Sequence, residues 1–197
     1  MSLVSVFLVL VLSTLLRESV QLPNGAPISA CQSMLPVHPG IEPQPDPAPY
    51  IIRTSSSSFQ NGKAVTVQIV GPAYRGFLLE AKTFRQTDLY GKWLQPPNDT
   101  KILPCPENPV GAITHSNTNL KMQATTYTWI PPDSNCPSVV FFIATVAVNY
   151  STYWTQVQSA VVWKDAAATC GASYMTWKQA LFTITFFQVA VLLVILL

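Results

Sequence analysis

Histidine is almost missing from this chain: His38 and His115 are the only two in 197 residues, 77 positions apart. Neither has a paired acidic motif beside it. A metal site would have to borrow scattered carboxylates, so ordinary hydrogen-bonded histidines are expected. Charge is also scarce, with 11 Lys and Arg against 9 Asp and Glu. Between residues 21 and 173 the balance is nine to eight, which leaves no basic face to neutralise phosphates and argues against nucleic-acid binding. No Gly-x-Ser-x-Gly elbow occurs, and the run Ser55 to Ser58 reads as a turn before a strand. The eight carboxylates of this stretch are dispersed, with no pair on one strand face, so a glycosidase-like dyad has no candidate. Cys-x-x-Cys is absent too, because Cys31, Cys105, Cys136 and Cys170 lie 74, 31 and 34 residues apart. Haem chemistry would need axial histidines within membrane helices, and the apolar tail contains none. These absences point away from an enzyme and from any bound cofactor.

What the chain does have is two uncharged apolar ends, residues 3–16 and 180–197. The first has the length of a signal-peptide core, and residues 1–20 are assigned as a signal peptide. The second, eighteen residues at 1.5 Å rise, would span about 27 Å. It follows a short spacer, residues 169–179, that contains the small residues Gly171-Ala172-Ser173. It reads as a transmembrane helix or as a glycolipid-anchor signal. Both place one domain, residues 21–168, outside the cell and tethered to a membrane by its C-terminus. Four cysteines behind a signal peptide imply two disulfides, with three connectivities open from spacing alone. Asn98-Asp99-Thr100 and Asn149-Tyr150-Ser151 are N-glycosylation sequons.

All 17 prolines fall between Pro23 and Pro137. The alternation Pro43, Pro45, Pro47, Pro49 predicts a stiff, extended approach to the first strand. Beyond it the chain breaks into short runs divided by turn residues, the pattern of an all-β fold. Strands are predicted over 50–54, 64–70, 76–84, 125–130, 139–149 and 153–163, with weaker ones near 90–94 and 110–114. Residues 139–149 are apolar on both faces and are predicted to be central. Together these roughly eight strands predict an immunoglobulin-like antiparallel β-sandwich. Trp129 and Trp154 are expected in its core. Tyr150, Tyr153 and Trp154 cluster at the last hairpin and form a candidate interaction surface. Tyr174 and Trp177 suit a position beside a membrane. Lys82, Arg85 and Lys92 offer a thin basis for a polyanion site, and a solvated face is the simpler expectation.

Several segments then carry a resemblance. They are Pro23-Asn24-Gly25-Ala26-Pro27, Ala30-Cys31-x-x-Met34-x-Pro36-x-His38, Pro49-Tyr50-x-Ile52 and Tyr74-Arg75-Gly76-Phe77-Leu78-Leu79-x-Ala81. Gly91-x-Trp93, Cys105, Ile113-Thr114-His115, Thr128-Trp129-x-Pro131 and the run from Phe142 to Trp154 complete them. In this order, over about residues 22–165, they resemble the reeler domain, and in particular the reeler domains of ferric-chelate reductase-like membrane proteins and insect defence proteins. The resemblance implies a β-sandwich with Cys31 paired to Cys105 and Cys136 to Cys170. It also implies what is missing, since the haem-binding membrane domain of the reductase-like proteins has no counterpart here. The function expected is a non-catalytic, membrane-tethered extracellular binding module in cell-surface interaction or innate defence. Its partner would be an extracellular protein, a glycan or a microbial surface. The alternative is a truncated or accessory relative of the ferric-chelate reductases.

Overall fold

The computed structural model describes residues 23–84, 88–122 and 125–170. The signal-peptide segment, the apolar segment 180–197, Arg85, Tyr174 and Trp177 lie outside these residues, as does most of the spacer. Among the described residues no helix is long and apolar enough to cross a membrane.

Eleven strands form two sheets. In chain order they are β1 Ile51–Thr54, β2 Ser58–Phe59, β3 Val65–Val70, β4 Gly76–Lys82, β5 Lys92–Trp93 and β6 Thr100–Cys105. There follow β7 Asn108–His115, β8 Thr126–Ile130, β9 Val139–Ala147, β10 Tyr153–Gln158 and β11 Val162–Lys164. The first sheet runs β1-β3-β8-β5, and the second β2-β11-β9-β4-β7-β6, with β10 also on β9. The named strands pair antiparallel except β2 with β11, which are parallel. Among the described residues one four-residue helix, α1 Ala30–Ser33, precedes them. The result is the all-β sandwich expected from the alternation pattern.

The core follows from that alternation. Val65, Val67 and Ile69 of β3 turn inward, as do Phe77, Leu79 and Ala81 of β4 and Val140, Phe142, Ala144 and Val146 of β9. Trp129 is fully buried among them, edge-on to Phe142 at 5.3 Å between ring centroids. Its indole N–H donates to the Tyr90 carbonyl at 2.8 Å, so the polar end of a large apolar residue is satisfied inside. Trp154 is half-buried and packs on the core against Tyr50.

The outer face of the second sheet is buried as well. Leu78, Phe141 and Ile143 join Ala30, Cys31, Met34, Leu103, Cys105 and Ala112 in a second apolar cluster. Residues 23–38, the strap, supply its cover. This is why β4 and β9 are apolar on both faces: one face meets the other sheet and the next meets the strap.

Three features depart from the sequence pattern. Strand β6 is hidden by Pro104, which an edge strand tolerates because only one side of it is paired. Strand β2 lies in the serine run that read as a turn. The predicted run 153–163 is two strands, because at Ser159 the side chain enters the ladder. Its Oγ accepts the Phe142 N–H at 2.9 Å while its own N–H donates to the Phe142 carbonyl. A bulge between Trp154 and Val157, with Gln156 at φ +58°, bends the first of the two.

Cys31 is bonded to Cys105 and Cys136 to Cys170. Cys170, placed in the spacer by the sequence, is thereby tied to the sandwich. By the loop-entropy relation each bridge stabilises the fold by about 4 kcal/mol, a large share of a domain's net stability. Reduction is therefore expected to abolish most of the β-sheet circular dichroism at 37 °C. A reduced protein that kept its sheet signal there would show that the bridges do not hold this fold together.

Candidate functional site

The strap does not cover the second sheet completely. Where β7, β4 and β9 run side by side it leaves a cleft of about 360 Å³. Gly76 to Leu78, His115, Thr145 and Ala147 line the sheet side, and strap residues from Pro23 to His38 line the other. Asn149 and Tyr150, in the turn between β9 and β10, close one end. The volume is that of a small-ligand pocket.

The strap is fixed at several points. Gly25 sits at φ +113°, and a Cβ there would fall 2.6 Å from the His115 carbonyl oxygen, so close approach and backbone angle both require glycine. The Ala26 N–H donates to Thr114 Oγ1 at 2.9 Å, and that hydroxyl donates to the Phe77 carbonyl at 2.7 Å. Cys31 is anchored by its disulfide, and Thr145 Oγ1 donates to the Met34 carbonyl.

Both histidines line this cleft, although the sequence separates them by 77 residues. His115 Nδ1 lies 3.2 Å from the Phe77 N–H, which it accepts in the tautomer protonated at Nε2, and 3.3 Å from the Phe77 carbonyl. His38 packs against Tyr150 with the rings tilted by 34° and their centroids 4.3 Å apart, and meets Tyr153 edge-on at 5.5 Å. Burial pulls its imidazole below the ordinary range, a hydrogen bond with the Tyr150 backbone opposing this more weakly. His38 Nδ1 is buried with no hydrogen-bond partner among the described residues. Arg75 is exposed at the cleft and donates through Nη1 to the Thr118 carbonyl at 2.8 Å. Among the described residues no Asp or Glu lines the cleft.

The aromatic surface expected at the last hairpin is divided by the fold. Tyr150 lines the cleft, but Tyr153 is only 3 % exposed and its hydroxyl donates to the Ile41 carbonyl at 2.9 Å. Tyr153 is thus an anchor for the proline-rich segment and not part of a surface, while Trp154 is taken up by the core margin. Asn98 and Asn149 are both exposed. The basic group loses Lys82, which is buried and ion-paired to Glu80 at 2.9 Å. The one cluster of metal-ligating residue types among the described residues is Cys31, Cys105 and Glu80, and its two sulfurs are bonded to each other.

Glu80 is the unusual charge. It is 0 % exposed on the outer face of β4, its Oε2 meets Lys82, and its Oε1 has no hydrogen-bond partner. Burial pushes its carboxyl up to about 7, with Lys82 pulling it down less strongly and Glu107 adding a small upward push.

A model of the Reeler domain family matches residues 29–169. A protein of the moth Antheraea mylitta named "Putative defense protein 3" is 38% identical over 161 residues, covering 79% of this chain and 94% of that one. Mouse ferric-chelate reductase 1 is 30% identical over 157 residues, but the match covers 78% of this chain and only 26% of the mouse protein. Among solved structures, a human F-spondin reeler domain superposes with a TM-score of 0.52 at 17% identity, over 68% of this chain and 99% of that one. That likeness concerns the fold.

Glu80 makes a pH-dependent contribution to stability. Its folded value lies above the 4.5 of a free carboxyl, so the folded protein holds the proton more tightly. The contribution is complete below pH 4.5 and is lost as the pH rises through about 7, with a total on the order of 3 kcal/mol. Urea unfolding at pH 5 and pH 8 should show the wild type weaker at pH 8 and Glu80→Gln with a smaller difference. Equal pH dependence in the two proteins would exclude Glu80 as the titrating group.

Proposed function

The chain belongs to the reeler domain family, and from that premise we propose that it is a non-catalytic extracellular binding module whose ligand site is the cleft beneath the strap. One observation carries this reading. The short segments that mark the family resemblance are far apart in sequence, and five of them converge on this single cleft: Pro23 to Pro27, Met34 to His38, Arg75 to Leu78, His115, and Thr145 to Tyr150. The chemistry supports binding over catalysis. Among the described residues the cleft is lined by two histidines, with no cysteine and no carboxylate beside them to complete a nucleophile or a general acid–base pair.

The similarity to insect proteins named for defence supports a role in defence or cell-surface interaction, with a microbial surface, an extracellular protein or a glycan as partner. The apolar segment 180–197 would tether the module to the membrane as a helix or by exchange for a glycolipid, after removal of residues 1–20. Glycans on Asn98 and Asn149 would agree with that route, and one on Asn149 would stand beside the cleft that this residue lines. The reductase reading, as an accessory relative, rests on a match confined to the reeler part of a much longer protein.

Cells displaying the full chain should retain bacteria or mammalian cells above the level of untransfected cells. Retention should fall when the cleft is blocked by Ala147→Phe. Bacterial retention alone assigns the defence role, and mammalian retention alone assigns a cell-surface interaction. Undiminished retention with the blocked cleft would move the site elsewhere. Release of the displayed chain by a phosphatidylinositol-specific phospholipase identifies the glycolipid tether, and resistance identifies the helix. A haem Soret band in the purified chain would revive the reductase reading.

A further inference from the structure

The cleft is apolar inside and its fixed charge has one sign. Met34, Leu78 and Ala147 line it, and Leu35 and Val37 stand at its wall 48% and 53% exposed. Aliphatic side chains left in water beside a concave apolar space offer a favourable transfer to an aliphatic ligand, about 25 cal/mol for each Å² removed from water. Among the described lining residues Arg75 is the one with a permanent charge, and none is a carboxylate. Only Nη1 of its planar fork is engaged by the Thr118 carbonyl, and such a fork matches the two oxygens of a carboxylate or phosphate. A third feature is the buried, unpartnered Nδ1 of His38, since buried ring nitrogens are normally hydrogen-bonded.

Taken with the cleft reading above, on which this inference rests, the geometry points to a single-chain anionic amphiphile as the ligand. Its aliphatic chain lies between the strap and the β7-β4-β9 floor, and its carboxylate or phosphate head meets Arg75. A cationic ligand would face Arg75 without a counter-charge. Two of the polar groups that a sugar would use are already engaged, since Thr145 Oγ1 donates to the Met34 carbonyl and Asn149 Oδ1 accepts from Ser151. A folded protein segment needs far more surface than 360 Å³ of cleft supplies.

Calorimetric titration of the purified full chain tests this with four probes that share a twelve-carbon tail: laurate, dodecyl phosphate, dodecanol and dodecyltrimethylammonium. Saturable one-to-one binding of the two anions is expected, with the cation weaker by about tenfold or more, the scale of one charge-assisted contact. Arg75→Glu should cost the anions a similar factor and leave dodecanol unchanged. Arg75 is exposed, so this variant should fold. Ala147→Phe should block all four probes, and Leu35→Asp, at a half-exposed position, serves if that variant does not fold. Equal affinity for anion, alcohol and cation, or no effect of Arg75→Glu, would overturn the anionic head while leaving an apolar ligand site intact. Failure of every probe to bind would overturn the cleft as a ligand site as well. Recruitment to phosphatidylglycerol vesicles without binding of monomeric laurate would overturn the amphiphile proposal in favour of a membrane surface.

Discussion

The strap laid across the outer face of the second sheet is the constraint on which the rest of the structure depends. An antiparallel sandwich normally presents polar side chains on its outer faces, because those faces meet water. Here β4 and β9 carry Leu78, Phe141 and Ile143 outward, and each would be a liability without a cover. The cover is sixteen residues with one turn of helix and almost no ladder bonding, so little in its own backbone holds it in place. Its attachment comes from a covalent bond at Cys31, a buried hydroxyl at Thr114, a carbonyl acceptor at Met34 and a glycine at position 25 that allows contact with β7.

That arrangement accounts for the one charge pair the fold places beneath the strap. Glu80 belongs to the outward-facing set of β4, as does Lys82, and in an uncovered sheet both would be solvated. Under the strap they must pair with each other, and the ammonium of Lys82 also reaches the Cys31 carbonyl at 3.4 Å. Such a pair is a weak source of stability, because both groups lose water to form it. Its consequence is specificity of placement: the strap carbonyl at Cys31 is an acceptor for a cation that has nowhere else to go.

The two-sheet architecture was legible in the sequence because β3 alternates cleanly, β9 is a long run apolar on both faces, and the turns are marked by glycine and proline. Val65 to Val70 and Phe77 to Ala81 show their inner faces directly. What the pattern hid was set by partners rather than by local composition. Pro104 disguises β6, since a proline is tolerated only where one edge is unpaired, and edge position is decided by the rest of the sheet. Ser159 splits the last run because its hydroxyl occupies a ladder position that no propensity scale records. Tyr153 looked like a surface residue from its neighbours in sequence, and became an anchor because the proline-rich segment returns to cover it.

The site was harder to see than the fold, and for a related reason. His38 belongs to the strap and His115 to β7, and nothing in their spacing of 77 residues says that the two line one cleft. A site built between a cover and a sheet has no local motif; it exists only where the cover falls short. An occupant that bridged strap and sheet would hold the strap down. Binding and the integrity of the cover are thus linked, because any ligand that favours the covered state stabilises it in proportion to its occupancy.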